Sequence, residues 1–184
     1  MPLEPPVTIT CASCQFMALA SRTMAMFDVE GPIGRSMQKM ATSPWFRKVG
    51  PKIVPPTDRL LHRLTGGRVI VSRLLVPSIV LTTVGAKSGL ERETPLACVP
   101  QPVGWWVVGS NFGQEKHPAW TGNLIANPQA KVSYGATTYQ VVASLLTDEQ
   151  KAAVWPTLVE AWPAYDDYVE SSGRNIRVFD LQPL

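Results

Sequence analysis

Between Val69 and Ser110 the apolar and β-branched positions fall in short blocks broken by turn residues. Val69–Leu75, Ser78–Val84, Thr94–Val99 and Trp105–Ser110 each have the length and the Val, Ile, Leu, Thr and Trp content of a strand. Gly85 to Arg92 and Gln101-Pro102-Val103-Gly104 separate them as turns, and such short separations make neighbours antiparallel. Ala130–Tyr134 and Thr137–Leu146 read as a hairpin across Gly135, and Asn175–Leu181 as a last strand. Helical signals are fewer. Thr57 caps a short amphipathic helix that follows Pro55-Pro56 and stops at Gly66-Gly67. Pro118 opens a helix through Ala126, which Asn127-Pro128 closes. Thr147-Asp148-Glu149-Gln150 is a capping box; the helix it starts buries Trp155, Leu158, Val159 and Trp162, and Pro156 kinks or restarts it. About six antiparallel strands with few helices predict a mainly β, α+β fold built on a small barrel.

The 184 residues, 45% hydrophobic and 17% charged, suit one globular core. Residues 1–39 differ, mixing Pro, Ser, Thr and Met without sustained period; they read as an arm, mobile or membrane-contacting, before a barrel domain over 40–184. Met40 is a plausible alternative start. No apolar run is long enough to cross a bilayer, and the first residues lack the basic start of a secretory signal, so the expected location is cytoplasmic. The net charge of +3 is uneven: nine basic residues between Arg35 and Arg73 face only Asp58. Such a stretch is either a solvated face or an attractor of anions. Nucleic acid is not expected, because no aromatic-basic platform or recognition helix accompanies the charge; an acidic small ligand and an anionic membrane surface fit equally.

Candidate chemistry is sparse. Cys11 and Cys14 have a knuckle-like spacing, yet His62 and His117 have no Cys or His companion nearby, so no metal site is expected. Cys98 lies in an apolar strand and reads as a core residue. No nucleophile–base pair or carboxylate cluster is visible, and Asp166-Asp167 reads as a solvated helix face. An enzyme so equipped borrows its chemistry from an organic cofactor. The loop Gly85-Ala86-Lys87-Ser88-Gly89-Leu90-Glu91-Arg92 offers two glycines, a hydroxyl and two cations between strands, which suits an anion. Taken alone, it is equally an ordinary hairpin tip.

Three blocks in order carry a resemblance. They are Leu81-Thr82-Thr83-Val84-Gly85-Ala86-Lys87-Ser88-Gly89 with Arg92 and Pro95-Leu96; Gly109-Ser110-Asn111-Phe112-Gly113 with His117-Pro118-Ala119-Trp120-Thr121-Gly122-Asn123-Leu124; and Trp155-Pro156 leading to Trp162-Pro163-Ala164-Tyr165-Asp166-Asp167-Tyr168. Together they resemble the deazaflavin-dependent nitroreductase family, which are split β-barrel oxidoreductases using coenzyme F420. The resemblance runs from about Pro55 to the C-terminus. It implies that Lys87, Ser88, Gly89 and Arg92 hold the phosphate and the start of the glutamate tail, toward which the upstream basic stretch would steer. It implies further that Val108, Gly109 and Ser110 lie along the deazaflavin, that Gly109 lets the ring approach the backbone, that Trp120 and Asn123 buttress the ring or its side chain, and that Pro95, Asn111 and Ala119 also bind the cofactor. Trp120 is also a natural core aromatic.

On the substrate side the resemblance implies Ser110, Tyr165 and Tyr168 as catalytic residues, the tyrosine hydroxyls hydrogen-bonding or protonating the substrate. Amphipathic tyrosines at a barrel mouth would look the same. The chain departs from the family with Ala86 where a cation is common, Asn111 where a basic residue occurs and Ala97 at an aromatic lining position; these imply a weaker anion clamp and a reshaped substrate pocket. The implied activity is hydride transfer from reduced F420 to a quinone, activated enone or nitroaromatic, by a monomer or homodimer. Binding of FMN on a related barrel, a non-catalytic F420 carrier and a membrane-associated structural protein are the alternatives.

Overall fold

The computed structural model describes residues 77–184; the expectations placed on the arm, on the Thr57 helix, on Val69–Leu75 and on Cys11, Cys14 and His62 lie outside the described residues. Six strands form a closed barrel in the order β1-β2-β3-β6-β5-β4: β1 (Ser78–Val84), β2 (Glu91–Pro100), β3 (Trp105–Val108), β4 (Gln129–Tyr134), β5 (Thr137–Leu145) and β6 (Val178–Pro183). Every pairing is antiparallel. The helices are α1 (Ala119–Ala126), α2 (Asp148–Ala161) and α3 (Ala164–Ser172), with a short 3-10 turn at Asn111–Gly113.

The α+β barrel is the expected one, and the differences lie at element ends. β2 starts at Glu91 rather than Thr94, because its polar first residues still find partners, Glu91 opposite Val84 and Arg92 opposite Thr83. The last strand starts at Val178, later than Asn175, because Asn175 turns its side chain to Asp148 (2.9 Å). Pro156 does not start a second helix: α2 runs through it to Ala161. The capping box forms, with Gln150 N–H donating to Thr147 Oγ1 (3.2 Å) and Thr147 N–H to Gln150 Oε1 (2.9 Å).

Alternation along the strands builds two cores. Ile79, Leu81, Cys98, Trp105, Val107, Val132, Val141, Phe179 and Leu181 fill the barrel, and α1 adds Trp120 and Leu124. Val99, Val108 and Val178 point outward and join Leu158, Ala164, Tyr165, Tyr168 and Ile176 in a second core beneath α2 and α3. The pair Trp105-Trp106 serves both, one ring in each core. Each fully buried side chain contributes about 1.5–3 kcal/mol, so these clusters outweigh the two surface ion pairs among the described residues, Lys131–Glu91 and Lys151–Asp148.

The two ends of the barrel are unlike. Among the described residues, one carries the tight turns after β2 and β4 with the start of β1 and the end of β6, whereas the other receives the Gly85–Leu90 loop, the β3–α1 connection and the segment entering β6. No described helix is long and apolar enough to cross a membrane.

Candidate active site

The loop between β1 and β2 is held by its own backbone: Gly85 N–H donates to Leu90 O (2.9 Å) and Gly89 N–H to Gly85 O (2.8 Å). Gly89 takes a φ of 66°, a conformation glycine adopts without steric cost. Ser88 Oγ accepts from Leu90 N–H (3.4 Å) inside the loop, so its hydrogen stays available to donate outward. Residues Ala86–Arg92 are exposed. Among the described residues the N–H groups of Lys87 and Ser88 have no acceptor, and neither Lys87 nor Arg92 has a carboxylate partner. The nearby Glu91 is taken by Lys131 at 2.6 Å, which leaves the loop's positive charge uncancelled. Asn123 on α1 fixes this loop from the side: its Oδ1 accepts from Ala86 N–H and its Nδ2 donates to Thr83 Oγ1, both at 3.0 Å. Its amide is thereby committed to holding the loop in place.

Farther along β2, β3 pairs only with Cys98–Pro100, so among the described residues no strand covers the other edge of Glu91–Ala97. Pro95, which has no N–H to offer a ladder, sits on that open edge, as proline in sheets should. The chain leaves β3 through Gly109, whose N–H donates to Arg177 O (2.8 Å). A Cβ on Gly109 would come 2.8 Å from Thr121 Cγ2 and 3.2 Å from Arg177 O. The close approach requiring glycine is therefore that of α1 and the segment before β6. Val108 is buried in the second core.

Ser110 leads into a turn of unusual handedness. Asn111, Phe112 and Gly113 have φ values of 48°, 54° and 73°, and left-handed backbone costs a non-glycine residue about 1–3 kcal/mol. The Asn111 amide donates across the connection to Lys116 O (2.8 Å). Gly113 abuts α3, where a Cβ would lie 3.1 Å from Tyr168 Cδ1. Arg174, which sequence reasoning missed, spans the whole connection: it donates to Ser110 O at 2.6 Å, to Gln114 O at 2.9 Å and to His117 Nδ1 at 3.0 Å. Because a guanidinium only donates, Nδ1 accepts and the His117 proton resides on Nε2. Burial, then the charges of Arg177 and Arg174, hold the His117 pKa below its ordinary value, so the ring is neutral near pH 7.

Tyr165 and Tyr168 share a face of α3, as spaced, and that face is turned into the second core; they are 4% and 2% exposed. Their rings meet edge-on at 6.4 Å, and Trp155 packs on Tyr165 at 6.2 Å. Trp155 Nε1 donates to Asp166 Oδ1 (2.8 Å), which ties α2 to α3 and gives one of the two solvated acids a structural partner. Burial pushes the Tyr165 hydroxyl strongly upward, with Cys98 and Tyr168 adding to the shift, so it stays protonated. No hydrogen bond among the described residues engages that hydroxyl. Trp120 is a core residue whose ring lies tilted against Phe179 (5.6 Å), and Ala119 is exposed at the start of α1. The fold thus gathers the loop cations with Asn123, and brings the Asn111–Gly113 turn after Ser110 against α3; it turns Trp120 and Val108 into the cores. Among the described residues no group of metal-ligating side chains occurs.

A model of the F420H(2)-dependent quinone reductase family matches residues 57–183. A Mycobacterium tuberculosis (strain H37Rv) protein named F420H(2)-dependent quinone reductase is 31% identical over 148 residues, covering 77% of this chain and 98% of that protein. The solved F420-H2 dependent reductase FDR-A is 36% identical, with a TM-score of 0.53 over 58% of this chain and 94% of its own. A second solved chain, described as a domain-swapped dimer, is 34% identical, with a TM-score of 0.56 over 76% of this chain and all of its own (100%). The matched span contains the cation loop, the left-handed turn and the tyrosine helix: the chain belongs to the F420H(2)-dependent quinone reductase family and is an F420-dependent oxidoreductase.

Proposed function

We propose that the protein reduces quinones with reduced F420, holding the cofactor's phosphate at the Gly85–Arg92 loop and the acceptor beside the open edge of β2. The observation that carries this is the loop: two exposed cations without carboxylate partners, two unused N–H groups and a hydroxyl, in a fixed backbone. That donor set fits a phosphate and the first acid of a glutamate tail. Lys87, Ser88 and Arg92 would hold these groups, Gly89 would shape the loop, and Pro95, Ser110, Asn111 and Ala119 would border the ring. Asn123 acts through the loop. Val108, Gly109 and Trp120 support the site from the packed side.

Bound there, reduced F420 supplies a hydride to an electron-poor acceptor. A quinone then needs one further proton to become a hydroquinone. Tyr165 is a poor source, because burial makes its proton hard to release. We assign it to donating a hydrogen bond that orients the acceptor's oxygen; the proton itself comes from solvent. Tyr168 backs Tyr165 and the turn that bears Ser110. Activated enones and nitroaromatics share the electron-poor character and are the wider substrate class.

Turnover of reduced F420 with menadione is the direct test, and no oxidation above a protein-free control would overturn the proposal. Comparing apo-protein affinity for F420 and FMN separates the two cofactors. The basic stretch between Arg35 and Arg73 carries the further reading of a peripheral membrane contact. Flotation with anionic liposomes, full chain against one starting at Met40, tests it.

A further inference from the structure

We infer that Arg174 is a positioning residue of this site, one guanidinium that fixes the left-handed Ser110–His117 connection and so sets Ser110 against α3. The inference rests on the reading that Ser110 and Tyr165 border the acceptor.

The three acceptors of Arg174 bracket the connection. Ser110 O lies before the left-handed residues, Gln114 O directly after them and His117 Nδ1 at the approach to α1. Such backbone persists only where its surroundings over-determine it. The turn's own bonds, Gly113 N–H to Ser110 O (3.0 Å) and Gln114 N–H to Asn111 O (3.1 Å), close the loop on itself and leave its orientation free. What ties it to the rest of the molecule is α3: Gly113 packs so closely on Ser171 and Tyr168 that a side chain there would collide. Arg174 follows Gly173, whose φ of 61° ends α3 and redirects the chain toward the loop.

Charge use points the same way. Among the described residues Arg174 has no carboxylate partner, and its half-buried charge is spent on two carbonyls and a neutral imidazole. An arginine that only needed neutralising would sit beside an acid. A planar fork that reaches three acceptors at fixed angles shapes a backbone, which a lysine's single ammonium cannot reproduce.

The test compares Arg174→Ala and Arg174→Lys in the full chain. Misplacement of site groups predicts a kcat for reduced F420 and menadione at least about tenfold lower in both, with a smaller loss of F420 affinity, because the Lys87 loop is untouched while Ser110 and Asn111 border the ring. Added guanidinium should restore part of the kcat of Arg174→Ala, whereas sodium chloride at equal ionic strength should not. Two readouts need no cofactor. Exchange of the Gly113 and Gln114 amides should speed up in both variants, and His117 should lose its fixed Nε2–H tautomer in nitrogen NMR. Unchanged kcat with intact F420 turnover, full recovery by lysine, or unchanged amide exchange would each overturn the inference while leaving the proposed function standing. If wild type fails to oxidise reduced F420, the function falls and the exchange and tautomer readouts still decide the role of Arg174. Should the alanine variant not fold, the charge-preserving lysine variant carries the same readouts.

Discussion

Lys87 and Arg92 owe their value to what is missing around them. Neither is paired with an acid among the described residues, while Glu91 between them in sequence order is drawn off by Lys131. Exposed contacts of this kind are each worth about 1 kcal/mol or less, so their effect comes from number and sign. Reversing both, Lys87→Glu with Arg92→Glu, should weaken F420 binding on the order of 100-fold at low salt, with the difference shrinking as salt is added. Fluorescence titration measures this, and an unchanged affinity would remove the loop from the cofactor site. Tyr165 makes a different prediction. A lost neutral hydrogen bond corresponds to roughly a three- to tenfold loss of kcat in Tyr165→Phe. Because the hydroxyl is already protonated throughout, the pH–rate profile between about pH 6 and about pH 9 should keep its shape. A changed profile would make Tyr165 the proton donor after all. These two proposed sites could be singled out in the chain because their features are local: glycines, a hydroxyl and cations within one loop, and two tyrosines one helical turn apart. Arg174 could not, since its partners lie 57, 60 and 64 positions away and nothing in its neighbourhood announces them.

At the scale of elements, strands and caps followed from pattern, and the misjudged parts are those decided by neighbours. Glu91 and Arg92 look like loop residues until β1 supplies opposite partners. Gly109 looked like a clearance for a flat ring; its space is set by α1, because Thr121 and Arg177 already occupy the direction a side chain would take. Gly109→Ala should therefore destabilise the fold by about 1–3 kcal/mol even without any ligand. Thr121→Ser removes the closest of the clashing atoms, the methyl, and keeps the hydroxyl that donates to Pro118 O (2.9 Å) and accepts from Arg177 (3.1 Å). Combining the two changes should recover part of the loss in chemical denaturation. If the double variant were no more stable than Gly109→Ala alone, the glycine would be needed for something other than helix packing. The same element explains how the two halves of the site stay in register. The helix α1 holds the cation loop through Asn123 near its end and receives Arg174 through His117 just before its start.

For the molecule as a whole, a barrel was readable from strand count and spacing, but its division of labour was not. Adjacent tryptophans in β3 say only that both faces are covered; which core each ring enters depends on helices far along the chain, Asp148–Ala161 and Ala164–Ser172. Among the described residues the long connections gather at one barrel end, where His117 sits between two arginines and the start of α1. That placement has a consequence for stability. Burial first, then Arg177 and Arg174, depress the His117 pKa in the folded state below its ordinary 6.5. Between those two values the unfolded chain binds a proton that the folded chain does not, so stability rises with pH across the window. The contribution is fully present above about pH 6.5 and is lost as the pH falls through the folded value. Asp148, held low by Asn175 and then Lys151, acts in the same direction but only below the ordinary carboxylate value of 3.8. The midpoint of thermal unfolding should therefore drop as the pH is lowered from about 7 to about 5. His117→Asn keeps an oxygen near the Nδ1 position to accept from Arg174 and removes the titrating group, so it should flatten that part of the curve. A variant with the full wild-type slope would show that the acid sensitivity arises outside this cluster, and the neutral imidazole would lose its place in the account of how the barrel end is held together.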